Sequence, residues 1–192
     1  MEREAISKLY EWKARPNRKP LIVRGARQVG KTWLIQEFAR QAYSRYVYVN
    51  FEEDEVLNHV FEKDFDIDRI LTTVSIRTQC DVDKDTLLIF DEIQAAPRGV
   101  TSLKYFCENA RDYHVIAAGS LLGISMHRSD SFPVGKVDFV DLSPLSFTEF
   151  LMAMGEERLV RLLTSHDWEV MAMMKDRLIS LLKTYYYVGG DA

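Results

Sequence analysis

Gly25-Ala26-Arg27-Gln28-Val29-Gly30-Lys31-Thr32 carries glycine, lysine and threonine at the spacing GxxxxGK[ST]. This spacing is typical of a loop whose backbone N–H groups surround a phosphate at the positive end of the following helix. In such a loop Lys31 supplies a positive charge to the β- and γ-phosphates, and the Thr32 hydroxyl is a ligand for Mg²⁺. The pattern therefore predicts that these eight residues bind a nucleoside triphosphate.

The sequence on both sides of the loop supports this prediction. Residues 20–24, Pro-Leu-Ile-Val-Arg, form a short apolar run typical of a buried parallel strand. After the loop, apolar residues recur at helical spacing at Leu34, Ile35, Phe38, Ala39 and Ala42. The alternative, a glycine-rich turn without a ligand, does not explain a strand, a loop and a helix in this order.

A second pattern concerns hydrolysis of the bound nucleotide. Residues 86–90, Thr-Leu-Leu-Ile-Phe, form an apolar strand that ends in Asp91 and Glu92. Ligands of α/β proteins bind at this edge of the sheet, so Asp91 is a candidate Mg²⁺ ligand and Glu92 a candidate base that polarises the attacking water. The alternative is a strand that ends in surface acids. A second acid favours the additional-strand, catalytic-glutamate division of P-loop ATPases over small-molecule kinases, which need no activated water.

Several segments together resemble a prokaryotic family of AAA+ ATPases, and the resemblance covers nearly the whole chain. They are residues 24–32, residues 88–94 (Leu-Ile-Phe-Asp-Glu-Ile-Gln), residues 118–123 (Ala-Gly-Ser-Leu-Leu-Gly), residues 132–136 and residues 142–151. The resemblance implies an α/β P-loop NTPase of the AAA+ type, a three-layer sandwich whose parallel sheet has the order 5-1-4-3-2. It also implies ATP and Mg²⁺ as ligands and a cytoplasmic protein of bacteria or archaea.

The same resemblance suggests three further catalytic residues, each with an alternative. Asn50 ends a strand-like run at residues 45–51, where AAA+ ATPases hold the catalytic glutamate back; alternatively it forms the loop and caps a helix predicted over Glu53–Glu62. Ser120 matches the position that contacts the attacking water or the γ-phosphate, or it caps the next helix. Arg128 precedes a fifth strand predicted at residues 136–140 and is a candidate arginine finger, with Arg111 as the weaker alternative.

The C-terminal part predicts a separate helical region. We place a boundary near Pro144, with an ATPase domain over residues 1–143 and a helical extension over residues 144–192. Helical patterns cover residues 147–154, 156–163 and 168–185. Relatives continue beyond a Tyr-rich segment into a further domain, whereas this chain stops at Ala192, so we expect the extension to be the start of a truncated C-terminal domain.

Composition limits the function further. The 192 residues carry a net charge of −4, which gives no broad basic field for nucleic acid. Two cysteines without metal-ligand spacing, no leader pattern and no apolar run of membrane-spanning length fit a cytoplasmic protein without a membrane partner.

Three functions remain open at this point. The first is a Mg²⁺-dependent ATPase that acts as a molecular switch or motor and assembles as a homo-oligomer, with a protein or DNA client that the sequence does not identify. The second is a regulatory switch that binds ATP or ADP with little turnover. The third is a DNA-associated ATPase whose DNA contacts lie in a missing C-terminal domain.

Overall fold

The computed structural model describes residues 4–119 and 132–188, and within them five parallel strands form one sheet. The strands are β1 (Leu21–Arg24), β2 (Tyr46–Asn50), β3 (Leu87–Asp91), β4 (His114–Ala118) and β5 (Asp138–Asp141). Among the described residues, the helices that precede β5 are α1 (Ala5–Ala14), α2 (Lys31–Ala42), α3 (Glu55–Asn58), α4 (Ile67–Thr78) and α5 (Gly99–Asn109). Those that follow β5 are α6 (Phe147–Ala153), α7 (Glu157–Ser165), α8 (Trp168–Met173) and α9 (Lys175–Val188).

The strands lie in the order β2-β3-β4-β1-β5, which is 5-1-4-3-2 read from the other edge. The predicted order is therefore confirmed. β4 lies between β1 and β3 and is parallel to both. The carboxyl ends of β1 and β3 therefore lie at the same edge of the sheet, separated by one strand. That edge brings residues 25–32, called loop 25–32 below, close to Asp91 and Glu92.

Each face of the sheet has its own apolar core. On one face, β1 and β3 pack against α1 and α2, with Leu9, Trp12 and Phe38 fully buried. On the other face, α4 and α5 cover β2 and β3, and Ile70 of α4, Phe90 of β3 and Phe106 of α5 are among the buried side chains. Since each large apolar side chain contributes about 1.5–3 kcal/mol when it is buried, the two cores stabilise the sheet from both faces.

Several predicted boundaries are wrong in detail. The helix predicted over Glu53–Glu62 is shortened to α3, because Asp54 accepts hydrogen bonds from the N–H groups of Val56 and Leu57 and so caps a later start. Asn50 is therefore not the cap of this helix. The strand predicted at residues 136–140 is β5, which begins two residues later, opposite Leu21.

The last predicted helix is also divided. α8 ends at Met173, and Met174 has φ −92° and ψ 6°, outside the helical region, before α9 begins. The apolar spacing continues through this break, so periodicity alone could not reveal it.

The helices after β5 form a small apolar cluster of their own. A capping box between Ser146 and Glu149 starts α6, and Phe150, Leu151 and Leu159 are buried. The Tyr185 hydroxyl donates a hydrogen bond of 2.6 Å to the carbonyl oxygen of Leu145, which ties α9 to the segment after β5. The division of the chain near Pro144 stays a prediction.

Candidate phosphate-binding site

Loop 25–32 has the backbone of an anion-binding turn. Gln28 and Gly30 have positive φ values of 65° and 83°, a conformation that occurs in concave nests of backbone N–H groups. Gly25 is required for a different reason, since a Cβ atom there would lie 2.4 Å from the carbonyl oxygen of Leu142. The close contact fixes the start of the loop against the chain that leaves β5.

Lys31 opens α2 and is buried, with 7% of its surface exposed. Its ammonium group donates hydrogen bonds to the carbonyl oxygens of Gly25 (3.0 Å) and Ala26 (2.5 Å). Burial lowers the pKa of Lys31, while the carboxylates of Glu92 and Asp91 act in the opposite direction. A buried cation that relies on carbonyl oxygens can exchange them for the stronger acceptors of a phosphate group.

Asp91 lies at the centre of a hydroxyl cluster at the end of β3. Its side chain is buried, with 4% of the residue surface exposed. The Oδ2 atom accepts hydrogen bonds from the Thr32 hydroxyl (2.7 Å) and the Tyr48 hydroxyl (2.9 Å). Burial, followed by the charge and hydrogen bond of Asp91, raises the pKa of Tyr48, so its hydroxyl stays protonated as a donor.

This donor set fits a Mg²⁺ ion. Mg²⁺ prefers hard oxygen ligands and is commonly held by one or two carboxylates together with waters and substrate phosphates. Thr32 and Asp91 offer a hydroxyl and a carboxylate oxygen within 2.7 Å of each other, next to loop 25–32. The residues present are therefore suitable for the ion.

Glu92 leaves β3 in an unusual conformation, with φ 47° and ψ 42°. A non-glycine residue in the left-handed region costs about 1–3 kcal/mol and persists only where its surroundings require it. Its backbone N–H donates to Asp91 Oδ1 at 3.0 Å, and its carboxylate accepts a hydrogen bond from the Gln94 side-chain amide. A 3₁₀ turn over Ile93–Ala95 follows.

A cavity of about 340 Å³ lies in front of these groups. Most of its lining belongs to loop 25–32, and Glu92 lies on the lining as well. The lining residues are Arg27, Gln28, Gly30, Lys31, Thr32, Trp33 and Glu92. A cavity of about 390 Å³ lies between α1 and α6, but its charged lining residues are Glu4 and Glu149, whose carboxylates would repel a phosphate. Charge therefore favours the cavity at loop 25–32.

Of the three further predicted residues, the structure describes only Asn50. Asn50 lies opposite Asp91 in the pairing of β2 with β3, and its side-chain oxygen accepts a hydrogen bond of 3.0 Å from the Glu52 N–H. It therefore has the loop-forming contact, and its restraint of Glu92 stays a prediction. Ser120 and Arg128 lie outside the described residues.

Sequence reasoning missed three residues around the site. Tyr48 contacts Asp91, Gln94 contacts Glu92, and the Asn58 amide donates to the carbonyl oxygens of Phe51 (2.7 Å) and Ala95 (3.0 Å). The alternation Tyr46-Val47-Tyr48-Val49-Asn50 places Tyr48 on the same face as Asn50, and the neighbouring β3 brings Asp91 to that face. The alternation in residues 46–50 could therefore have indicated that Tyr48 lies near Asp91.

Comparison with known families agrees with the geometry. A family model described as an AAA domain matches residues 17–151, which is most of the chain and contains loop 25–32, Asp91 and Glu92. The chain belongs to the AAA domain family. As an AAA domain it is a nucleotide-binding ATPase in the general sense of that family. No curated protein matches the sequence.

Solved structures similar to this AAA domain include the Orc1 and Orc2 proteins of Aeropyrum pernix. The Orc1 protein in complex with DNA has 15% identity and a TM-score of 0.52, and the match covers 80% of this chain and 48% of that one. The ADP form of the Orc2 protein has 13% identity and a TM-score of 0.54, and the match covers 80% of this chain and 50% of that one. The Orc2 protein in its ADPNP–ADP complexes has 15% identity and a TM-score of 0.53, and the match covers 82% of this chain and 51% of that one.

These similarities show the fold. The chain spans about half the length of the solved structures that it matches. Across residues 4–119 and 132–188, no helix combines the length and apolar character needed to cross a membrane.

Proposed function

We propose that this AAA domain is a Mg²⁺-dependent ATPase that cleaves ATP to ADP and phosphate and acts as a switch or motor. The observation that carries the proposal is the contact of Thr32 with Asp91 at 2.7 Å, in front of a cavity that Lys31 and Glu92 also line. Residues suited to an anion, residues suited to a divalent cation and the Glu92 carboxylate thus lie together at one edge of the sheet.

The proposed roles follow from the chemistry of each group. The N–H groups of loop 25–32 bind the phosphates, and Lys31 moves from the carbonyl oxygens of Gly25 and Ala26 to phosphate oxygens. Thr32 and Asp91 hold Mg²⁺, which supplies charge neutralisation at the phosphates when bound. Glu92 accepts a proton from the attacking water.

Phosphate release from ATP and Mg²⁺ tests the proposal, with Lys31→Ala and Glu92→Gln beside the wild type. Lys31→Ala should abolish ATP binding because the phosphates lose their main cation. Glu92→Gln should bind ATP normally and turn it over about 10²–10⁴-fold more slowly, the usual contribution of a general base. Wild-type turnover that survives unchanged in Glu92→Gln would contradict the role of this residue.

A protein that binds ATP through Lys31 without turnover would be a nucleotide-dependent regulatory switch instead. This is the second function that the sequence left open. Equal ATP affinity and equal lack of turnover in the wild type and Glu92→Gln would identify it.

We also propose that the active form is a homo-oligomer in the cytoplasm, with Ser120, Asn50 and Arg128 completing the site. Turnover per subunit that rises with protein concentration would support assembly, because an arginine finger acts across a subunit boundary. Arg128→Ala should then abolish turnover while leaving ATP binding intact. A rate per subunit that does not depend on concentration would contradict assembly.

Association with DNA is the other candidate, since the Orc1 protein of similar fold was solved in complex with DNA. A net charge of −4 gives residues 1–192 no general attraction to a phosphate backbone. Under this candidate function, the DNA contacts belong to a C-terminal domain of a longer chain. Salt-dependent DNA binding by a longer chain, and its absence from residues 1–192, would support this candidate.

A further inference from the structure

Glu92 can serve as a base only if its carboxylate faces the water next to the γ-phosphate. A glutamate carboxylate can occupy many positions, because its last side-chain torsion is broad. A shift of about 1 Å at a reacting group can cost about 10²-fold in rate. The site therefore needs something that fixes the Glu92 side chain.

Gln94 is in a position to do this. Its side-chain Nε2 donates a hydrogen bond to Glu92 Oε2, from two residues further along the chain. The backbone between them is a closed 3₁₀ turn, in which the Ala95 N–H donates to the Glu92 carbonyl at 2.8 Å. The geometry of the pair is thus set by a short, hydrogen-bonded segment of backbone.

The turn itself is held from two sides. A Cβ atom at Gly99 would lie 2.4 Å from the Ile93 carbonyl oxygen, so the start of α5 packs directly on the turn. Asn58 holds the other end of the turn through the Ala95 carbonyl oxygen at 3.0 Å. Gln94 is therefore attached to a rigid support and can transmit that rigidity to Glu92.

The orientation of the Gln94 amide has one electrostatically acceptable choice. The opposite orientation would turn the amide oxygen, instead of the NH₂ group, towards the Glu92 carboxylate. The Gln94 Oε1 atom is buried and has no hydrogen-bond partner among the described residues. A buried oxygen without a hydrogen-bond partner destabilises the folded protein. The hydrogen bond from the Gln94 NH₂ group to Glu92 offsets part of this cost and gives a reason for glutamine at this position.

We propose that Gln94 is a positioning residue that holds the Glu92 carboxylate towards the phosphate cavity. The inference rests on the proposed ATPase function. Glu92 lines the cavity while it is bound to Gln94, so the contact presents the carboxylate and does not withdraw it. A carboxylate has about four acceptor sites, and the bond to Oε2 leaves acceptor sites for the attacking water.

Gln94→Met tests the proposal, because methionine keeps the length of the side chain and removes the donor. It also removes the partnerless oxygen, so we expect no loss of thermal stability. The rate constant kcat should fall about 10- to 100-fold, while the dissociation constant of a fluorescent ATP analogue changes less than about twofold. In a Glu92→Gln background the same substitution should add nothing, since Gln94 acts only through Glu92.

Gln41→Met is the matched control. Gln41 makes the same kind of contact with Glu37 at 2.7 Å on the exposed surface of α2, and it accepts a bond from the Tyr10 hydroxyl. Its substitution should leave kcat and ATP affinity unchanged. An unchanged kcat in Gln94→Met, or equal losses in Gln94→Met and Gln41→Met, would overturn the proposal.

Crystal structures with Mg²⁺, ADP and beryllium fluoride separate this proposal from the proposed function. In the wild type the Gln94 amide should contact Glu92, and in Gln94→Met the Glu92 carboxylate should turn away from the γ-phosphate mimic. A wild-type structure without the Gln94–Glu92 contact would overturn the inference even if the variant fails to fold. A protein without turnover in which Glu92 nevertheless moves would refute the ATPase function and leave the positioning role standing.

Discussion

At the scale of single residues, the clearest feature is that one carboxylate oxygen serves two hydroxyl donors. Asp91 Oδ2 accepts from Thr32 and from Tyr48. In the proposed ATPase, the Thr32 hydroxyl becomes a ligand of the metal ion, whereas the Tyr48 hydroxyl is not a proposed metal ligand and stays bonded to Asp91. Tyr48 therefore keeps the orientation of Asp91 during the exchange.

Tyr48→Phe should weaken the response to Mg²⁺ while leaving the fold intact. A hydrogen bond to a charged group contributes about 1.5–3 kcal/mol, but Thr32 and the metal ion compensate part of it. We expect the Mg²⁺ concentration for half-maximal ATP turnover to rise about three- to tenfold, as measured by magnesium titration at saturating ATP. Tyr46→Phe is the control, since Tyr46 lies on the same face of β2 but level with Leu87. Equal midpoints for both variants would refute the role of Tyr48.

At the scale of elements, three segments meet behind the candidate site. The end of β2, the short helix α3 and the 3₁₀ turn after β3 are joined by Asn58, whose amide donates to Phe51 and Ala95. Neither carbonyl oxygen belongs to a strand or an α-helix, so Asn58 supplies hydrogen bonds that regular structure does not provide there.

Asn58→Ala should destabilise the protein by about 1–3 kcal/mol, because two carbonyl oxygens lose their donor at once. Urea unfolding followed by circular dichroism measures the change. Asn109→Ala, at the exposed end of α5, should change the free energy of unfolding by less than about 0.5 kcal/mol. A loss at Asn58 no larger than the loss at Asn109 would mean that the three segments are held by packing alone.

The same elements show what sequence could and could not predict. Lys31, Thr32, Asp91 and Glu92 could be predicted because each belongs to a local pattern that follows an apolar strand, and their roles stay predictions. Tyr48 and Asn58 act through contacts between segments that are far apart in the chain, and such contacts depend on sheet order and register.

Gln94 was a different kind of omission. It stands in the segment Asp91-Glu92-Ile93-Gln94 that carried the resemblance. Its contact with Glu92 depends on the positive φ of Glu92, which a non-glycine residue gives no reason to expect.

At the scale of the whole molecule, the candidate site and the opposite edge of the sheet have different chemistry. At the opposite edge, His114 begins β4 and lies between the rings of Trp12 and Tyr43, with centroid distances of 6.2 and 5.2 Å. Its Nδ1 atom is 2.5 Å from the Tyr43 hydroxyl. Burial, aided by the charges of Arg18 and Lys13 and opposed by Asp85, lowers the pKa of His114 from 6.5 to about 4.

This shift makes global stability depend on pH. Above pH 6.5 the imidazole is neutral in both the folded and the unfolded chain, and it contributes no pH dependence. Between pH 6.5 and about 4 the unfolded chain binds a proton that the folded protein does not, so acid favours unfolding. Because His114 is only half-buried, we expect a loss of about 1–2 kcal/mol over this range, which is less than the full shift would give.

His114→Gln removes this titration while keeping a side chain that can hydrogen-bond to Tyr43. The free energy of unfolding of the wild type, relative to the variant, should therefore fall as the pH is lowered from 6.5 to 4 and stay constant above 6.5. Urea unfolding at half-unit steps of pH measures the difference and cancels the titration of the carboxylates common to both proteins. His59→Gln is the control, because His59 is exposed beside Glu62 and its substitution should leave the acid-dependent loss of stability in place. A difference between wild type and His114→Gln that does not change with pH would mean that His114 is protonated as readily in the folded protein as in the unfolded chain.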